Sequence, residues 1–210
     1  GTVSLGLQAS GGVIIGKNSS IHTSGGGGAL YLNSGSTGPL ASIDLTNTTV
    51  QGTGANTAGL LAYSLATSGA HELRMTGGSL TSASSEAIWA RGPVNVILDG
   101  VQVTGGSELL HASNQVTGGS YQATLVDLRA SGGSLLTGDM TAENASRVDV
   151  ALSTGSQWTG AASNVTNVAI DATSRWNVTG DSSLSQKLTN AGLLDLGVLG
   201  AHSLEVHDAE

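Results

Sequence analysis

Ile43-Asp-Leu45-Thr-Asn-Thr-Thr-Val50-Gln-Gly52 is the stretch whose reading decides the fold. Ile43 and Leu45 alternate with polar neighbours, four polar residues follow, and Val50 precedes a polar–small pair. Alternation at period two marks a strand with one buried face, and a following Gly supplies the corner. The template returns as Met75-Thr-Gly-Gly-Ser-Leu80-Thr-Ser82 and as Leu98-Asp-Gly-Val-Gln-Val103-Thr-Gly105. With one more spacer residue it returns as Leu152-Ser-Thr-Gly-Ser-Gln-Trp158-Thr-Gly160 and as Ile170-Asp-Ala-Thr-Ser-Arg-Trp176-Asn177.

Alternating segments precede these units, among them Leu73-Arg-Met75, Val94-Asn-Val96 and Val148-Asp-Val150. A second apolar patch follows them in Leu60-Leu61-Ala-Tyr63, Ala87-Ile88-Trp89-Ala90 and Leu109-Leu110-His-Ala112. Recurrence every ~20–30 residues belongs to repeat architectures. Short strands joined at Gly, Ser, Asn and Asp corners, with Val, Leu and Ile stacked inside, predict an all-β fold: a right-handed parallel β-helix (solenoid). At ~25 residues per turn the chain makes roughly eight rungs, a rod of about 40 Å. Gly77-Gly78, Gly105-Gly106, Gly118-Gly119 and Gly132-Gly133 are the expected corners, Ser and Thr the expected solvent faces. The runs Ser24 to Gly28 and Asn33 to Pro39 are expected to protrude as loops.

Composition agrees with this reading. The 210 residues include 32 Gly, no Cys, no Phe and 3% aromatics, with 10% charged residues. Mean hydropathy is nevertheless +0.11. Poor helix formers dominate, and no window keeps a 3.6-residue period, which excludes a helical fold. Recurrent Val, Ile and Leu argue against disorder. A net charge of −8, with scattered basic residues, argues against nucleic acid and anionic membranes. No apolar stretch is long enough for a membrane helix, and no signal peptide is expected in Gly1 to Ser10.

The units resemble the rungs of bacterial autotransporter passenger domains, in the pertactin-like group, over nearly the whole chain. The resemblance is best from Trp158-Thr-Gly160 through Val168-Ala-Ile-Asp-Ala-Thr-Ser-Arg-Trp176-Asn-Val-Thr-Gly-Asp-Ser182 to Leu188-Thr-Asn-Ala-Gly192-Leu-Leu-Asp-Leu196. That stretch is similar to the passenger region preceding the outer-membrane barrel. The resemblance implies β-helical rungs over 1–160 and autochaperone-like, capping rungs over 161–210, continuous with the same solenoid. It implies type V secretion to the bacterial cell surface, and a passenger fragment separated from its β-barrel translocator and signal peptide. Cys would be disfavoured by export in an unfolded state. The C-terminal rungs would fold first, with Trp158 and Trp176 as the expected folding nucleus.

The function so implied is that of a non-catalytic, virulence-related adhesin. Its partners would be a host surface or matrix protein or glycan, or other bacterial cells through self-association. A structural stalk and a carbohydrate-active β-helix enzyme are the alternatives. The Arg-Gly-Asp triplet of the family's namesake is missing; Arg91-Gly92-Pro93 and Gly138-Asp139 are the nearest strings.

Chemical motifs are sparse. Gly11-Gly-Val-Ile-Ile-Gly16-Lys17 fits the frame of a phosphate loop, but Asn18 stands where a Mg²⁺-binding hydroxyl is needed and no helix follows. Gly180-Asp-Ser-Ser-Leu184 is similar to a lipolytic-esterase box without its later Asp-x-x-His. Asp44, Asp99, Asp127, Asp149 and Asp171 recur at similar template positions, either as an acidic column or as solvated spacers. His22, His71, His111, His202 and His207 are dispersed, so neither a metal nor a cofactor is expected. Five Asn-x-Ser/Thr sequons are expected by chance at this Ser and Thr content. Candidate contact residues are Trp89 and Arg91, with Tyr31, Tyr63 and Tyr121 as further rings. Asn47, Thr48 and Thr49 are the candidates for a polar zip in self-association.

Overall fold

The computed structural model describes residues 6–35, 38–65, 69–117, 120–197 and 201–207. Among the described residues it contains 24 strands and no helix. The strands form a seven-stranded sheet, a fifteen-stranded sheet and a two-stranded hairpin. Both large sheets are parallel throughout, and only the hairpin Gln115–Thr117 with Ser120–Gln122 is antiparallel.

The pairing register explains why the template recurs. Ile14 pairs with Ile43, Ile43 with Leu73, and Leu73 with Val96. The column continues through Leu128, Val150 and Val168 to Leu188. A second column runs Ile21, Val50, Leu80, Val103, Leu136, Trp158, Trp176 and Leu194. The second column is the later apolar position of the template, the earlier one stacks as Leu45, Met75 and Leu98, and the Ile43 column belongs to the alternating segment before it, so each repeat stacks its inward residues on the previous one. In the seven-stranded sheet Leu30, Leu60, Ile88, Leu110 and Met140 form a third column, beside an alanine column through Ala62, Ala90, Ala112 and Ala142. Stacked aliphatics touch above and below, so a core is built without bulky side chains.

The separation between stacked residues varies from turn to turn, and in the Ile43 column it is shortest over the two turns from Val150 to Val168 and from Val168 to Leu188. It is 30 residues from Ile43 to Leu73 and 18 from Val150 to Val168. Pairing crosses residue 160 without a break, since Trp158 pairs with Trp176 and Met140 with Ala162.

Three expectations are corrected. Ser24 to Gly28 is not a protruding loop: Gly27 and Gly28 open the strand Gly27–Ser34, and a Cβ on Gly28 would lie 2.8 Å from that of Leu61. Asn33 and Ser34, the start of the second expected loop, close the same strand. Gly105 and Gly106 have ordinary φ values and are glycine because backbone crosses there, unlike Gly77 and Gly78 at φ +66 and +87. The Gly118-Gly119 corner lies outside the described residues. Ser and Thr are not confined to solvent faces: among the described residues all the buried polar ones except His71 and Gln115 are Ser or Thr. They hydrogen-bond the chain at corners, as Ser134 does when its hydroxyl donates to Ser131 O at 2.7 Å and accepts from Val101 N at 3.1 Å.

Candidate binding face and the other candidate residues

Side chains alternate across each strand, so the residues between the inward columns of the seven-stranded sheet form outward rows. One row is Tyr31, Leu61, Trp89, His111 and Thr141. The neighbouring row is Asn33, Tyr63 and Arg91. Rows repeat at about 4.8 Å, which brings together side chains some 30 residues apart in sequence.

Arg91 lies with its guanidinium carbon 5.7 Å from the Tyr63 ring centroid and 5.4 Å from that of Trp89. Both distances are those of a cation–π contact. Trp89 Nε1 donates to Ser113 Oγ at 3.0 Å, which fixes the indole. Burial raises the Tyr31 phenol above its ordinary value, Tyr63 adds to that, and Arg91 opposes it. Tyr31, Tyr63, Trp89 and Arg91 therefore form one electrostatic unit. Tyr121 has no described side chain.

Beyond Trp89 the row becomes acidic. His111 Nδ1 lies 3.2 Å from Glu108 Oε2, and Nε2 lies 3.1 Å from Glu143 Oε1. Glu108, by hydrogen bonding, is the main cause that raises the His111 pKa to about 9; burial works against it and Glu143 adds to it. Glu143 also accepts from the Asn114 amide at 3.0 Å. The imidazole bridges two carboxylates, leaving one net negative charge. No group of three or more His, Asp or Glu that could hold a metal ion occurs among the described residues.

The self-association candidates lie on the other large sheet. Asn47 is exposed at a corner with φ +47, its amide 3.5 Å from Asn18 Oδ1 in the turn below. Thr49 is exposed between Ser20 and Ser79 in the pairing. Thr48 is corrected: it is buried, and its hydroxyl donates to Thr46 O at 3.0 Å, because alternation turns every second residue inward. It cannot join an outer polar zip.

Trp158 and Trp176 are fully buried and stacked, with centroids 4.4 Å apart and planes 5° apart. Their Nε1 atoms donate to Gly138 O and Gly160 O, each at 2.9 Å. Both indoles thus fill the interior and hydrogen-bond the carbonyl just past the strand stacked on their own.

The five aspartates do not form one column. Asp44 pairs between Ile15 and Arg74, Asp99 between Thr76 and Ser131, and Asp171 lies at a corner. The Thr154 amide donates to Asp171 at 2.8 Å and is the first cause holding its carboxyl far below the usual range. Only Asp127 and Asp149 are neighbours in register. They line a surface groove of ≈450 Å³ with Asn95, Leu125 and Arg147. Arg129 Nε donates to Asp127 at 3.1 Å, and Arg147 Nε and Asn167 Nδ2 donate to Asp149 at 2.7 and 2.6 Å.

The two borrowed motifs fall on structural positions. Gly12–Lys17 is a strand, followed by Asn18 at φ +50 rather than by a helix. Ser182 is buried and its hydroxyl donates to Gly180 O at 2.9 Å, a strand-entry contact, while the half-buried Ser183 accepts from the Asn164 amide at 2.9 Å.

The sequence already held the alignment that exposes the aromatic face. Superposing Leu61-Ala-Tyr63 on Trp89-Ala-Arg91 puts Leu61 against Trp89 and Tyr63 against Arg91, the pairing the structure shows. The His111 bridge had no comparable signal, because Glu143 approaches from the next repeat. Comparison with models of known protein families, with curated proteins and with solved structures gave no match.

Proposed function

We propose that the chain is a passenger segment of a bacterial autotransporter: a right-handed parallel β-helix of roughly eight turns, displayed at the cell surface as a non-catalytic adhesin. The long parallel sheets and the continuous inward columns support the solenoid part of this reading. The adhesive part rests on one observation. Three of the six aromatic residues, Tyr31, Tyr63 and Trp89, gather with Arg91 on the outer face of one sheet, although nothing in packing requires them there. Rings with polar tips and a cation are the side chains that dominate recognition surfaces. The partner is a host or matrix protein or glycan, or a neighbouring cell.

The test is to offer the chain to arrays of matrix proteins and glycans while its sedimentation reports self-association. Binding that is lost in Trp89→Ala supports the adhesin. A monomer that binds nothing makes the segment a stalk.

The groove at Asp127 and Asp149 favours a second reading, as a carbohydrate-active enzyme. Neighbouring parallel strands place the two residues at about 4.8 Å, close to the ~5–5.5 Å carboxyl separation of retaining glycosidases. Each carboxylate is already engaged by an arginine, which opposes its use as an acid. Release of reducing ends from a polysaccharide panel by the chain, abolished in Asp149→Asn, would favour the enzyme.

A further inference from the structure

Five arginines occur in the chain. Arg74, Arg129 and Arg147 each pair with a carboxylate two residues away on the same strand, namely Glu72, Asp127 and Asp149. Arg91 and Arg175 have no carboxylate at ion-pair distance among the described residues; what sets Arg91 apart is that it is held between the Tyr63 and Trp89 rings, whereas Arg175 has no ring contact among those residues and its Nε is buried. Ring faces attract a cation but do not neutralise it. In a chain of net charge −8, an outward guanidinium without a counter-ion, fixed in place by two rings, is a pre-positioned receptor for one anionic group.

The surroundings narrow the ligand. From Arg91 toward lower residue numbers its own row offers Tyr63 and then Asn33, and the row beside it offers Leu61 and Tyr31. Those side chains provide apolar surface with phenol and amide groups between, suited to sugar C–H faces and hydroxyls. In the other direction Trp89 is followed by His111, held by Glu108 and Glu143, whose net negative charge repels a second acid and accepts hydroxyl protons. The patch lies on inner strands of the sheet, each paired on both sides, so a peptide cannot add to it as an edge strand.

We infer that this face binds an oligosaccharide carrying one carboxylated sugar at its end, with the carboxylate on Arg91 and neutral sugars running over Tyr63, Leu61 and Tyr31. The inference rests on the adhesin reading and names its ligand class. The carboxylate receives paired N–H donors from the guanidinium, and the neutral sugars cover the ring edges. A polymer with an acid on every sugar fits worse, because its second carboxylate meets either no cation or the Glu108–Glu143 pair.

The test uses the whole chain with sialyllactose, lactose, polygalacturonate and an acidic peptide as probes. Trp89 fluorescence is the readout, since Trp158 and Trp176 are fully buried. Sialyllactose is expected to perturb Trp89 at least about tenfold more tightly than lactose. Arg91→Ala should lose at least about tenfold in affinity for sialyllactose, and Arg91→Lys should lose part of it through the missing fork geometry, with unchanged circular dichroism in both. Equal binding of lactose, tighter binding of polygalacturonate, binding of the peptide alone, or full binding by Arg91→Ala would each overturn the inference. A matrix protein captured equally by the parent chain and by Arg91→Ala would overturn it while leaving the adhesin reading in place. Absence of any binding on arrays or in solution would overturn both.

Discussion

Replacing Trp176 by Ala removes the indole that shares the interior with Trp158, and its cost can be worked from the contacts. Trp176 is fully buried, stacks on Trp158 at 4.4 Å, and donates to Gly160 O at 2.9 Å. Truncating a buried Trp costs about 3–5 kcal/mol through lost transfer and cavity terms. The stack adds about 0.5–1.5 kcal/mol, and a carbonyl left without its donor adds about 1 kcal/mol or more. A loss of about 4.5–7.5 kcal/mol is expected, a large part of the stability of a domain this size. Trp176→Leu is the informative companion, because Leu136 and Leu194 occupy the same column. It keeps aliphatic filling and loses the stack and the hydrogen bond, so it should cost about 2–3 kcal/mol. Urea unfolding followed by far-ultraviolet circular dichroism measures both, with the Trp158→Leu, Trp176→Leu double variant closing a cycle. Coupling of about 0.5–1.5 kcal/mol is expected. A cost under about 2 kcal/mol for Trp176→Ala, or no coupling, would show that the ring pair does not hold the wall together.

Acid should weaken the fold through His71, which sits fully buried between Ala41 and Val94 in an inward column. Its Nδ1 accepts from the Ala41 amide at 3.0 Å, so Nε2 carries the proton, and burial holds its pKa below the ordinary value while the Tyr63 carbonyl acts against that. The unfolded chain therefore binds the proton first, and stability falls as pH drops below about 6.5; thermal unfolding across that range should show a slope that is smaller in His71→Gln. His111 acts in the opposite sense: its stabilisation is complete below about 6.5 and is lost as pH rises toward the folded value of about 9. Glu143→Gln should shrink that alkaline loss, which is about 1 kcal/mol or less at this partly exposed site, read from urea midpoints on either side of the interval. Gly78→Ala should destabilise by about 2 kcal/mol or more in the same assay, because φ is +87 and the added Cβ would collide with the Thr48 backbone.

The repeat was legible because stacking imposes one requirement on every turn. Leu45, Met75 and Leu98 had to be apolar at matching offsets, and their register in the structure is the template alignment itself. Corners were less legible, because glycine serves two ends that look alike in sequence. Gly77 provides a positive φ that Asn18 and Asn47 also adopt, whereas Gly105 makes room for the backbone at Glu108. Thr48 shows a similar limit: a Thr among polar neighbours reads as exposed, and only the inward turn of alternate side chains reveals that it is covered. The aromatic face was half legible. Trp89 and Arg91 stood out as residue types, but Tyr63 joins them only across a 28-residue offset fixed by coil length. The Asp column failed because the aspartates follow different inward positions: Asp44 follows Ile43, Asp99 follows Leu98 and Asp127 follows Val126, and these three lie in different registers.

Coil length itself bears on the order in which the chain closes. Each turn must bring its ends together before a stacked pair can form, at an entropic cost that grows with the logarithm of the closed length. The turn from Val96 to Leu128 spans 32 residues and that from Val150 to Val168 spans 18. The shorter closure is cheaper by about 0.5 kcal/mol, and it delivers two stacked indoles where the longer one delivers aliphatics. Closing the shorter turn is thus the more local and better rewarded of the two steps.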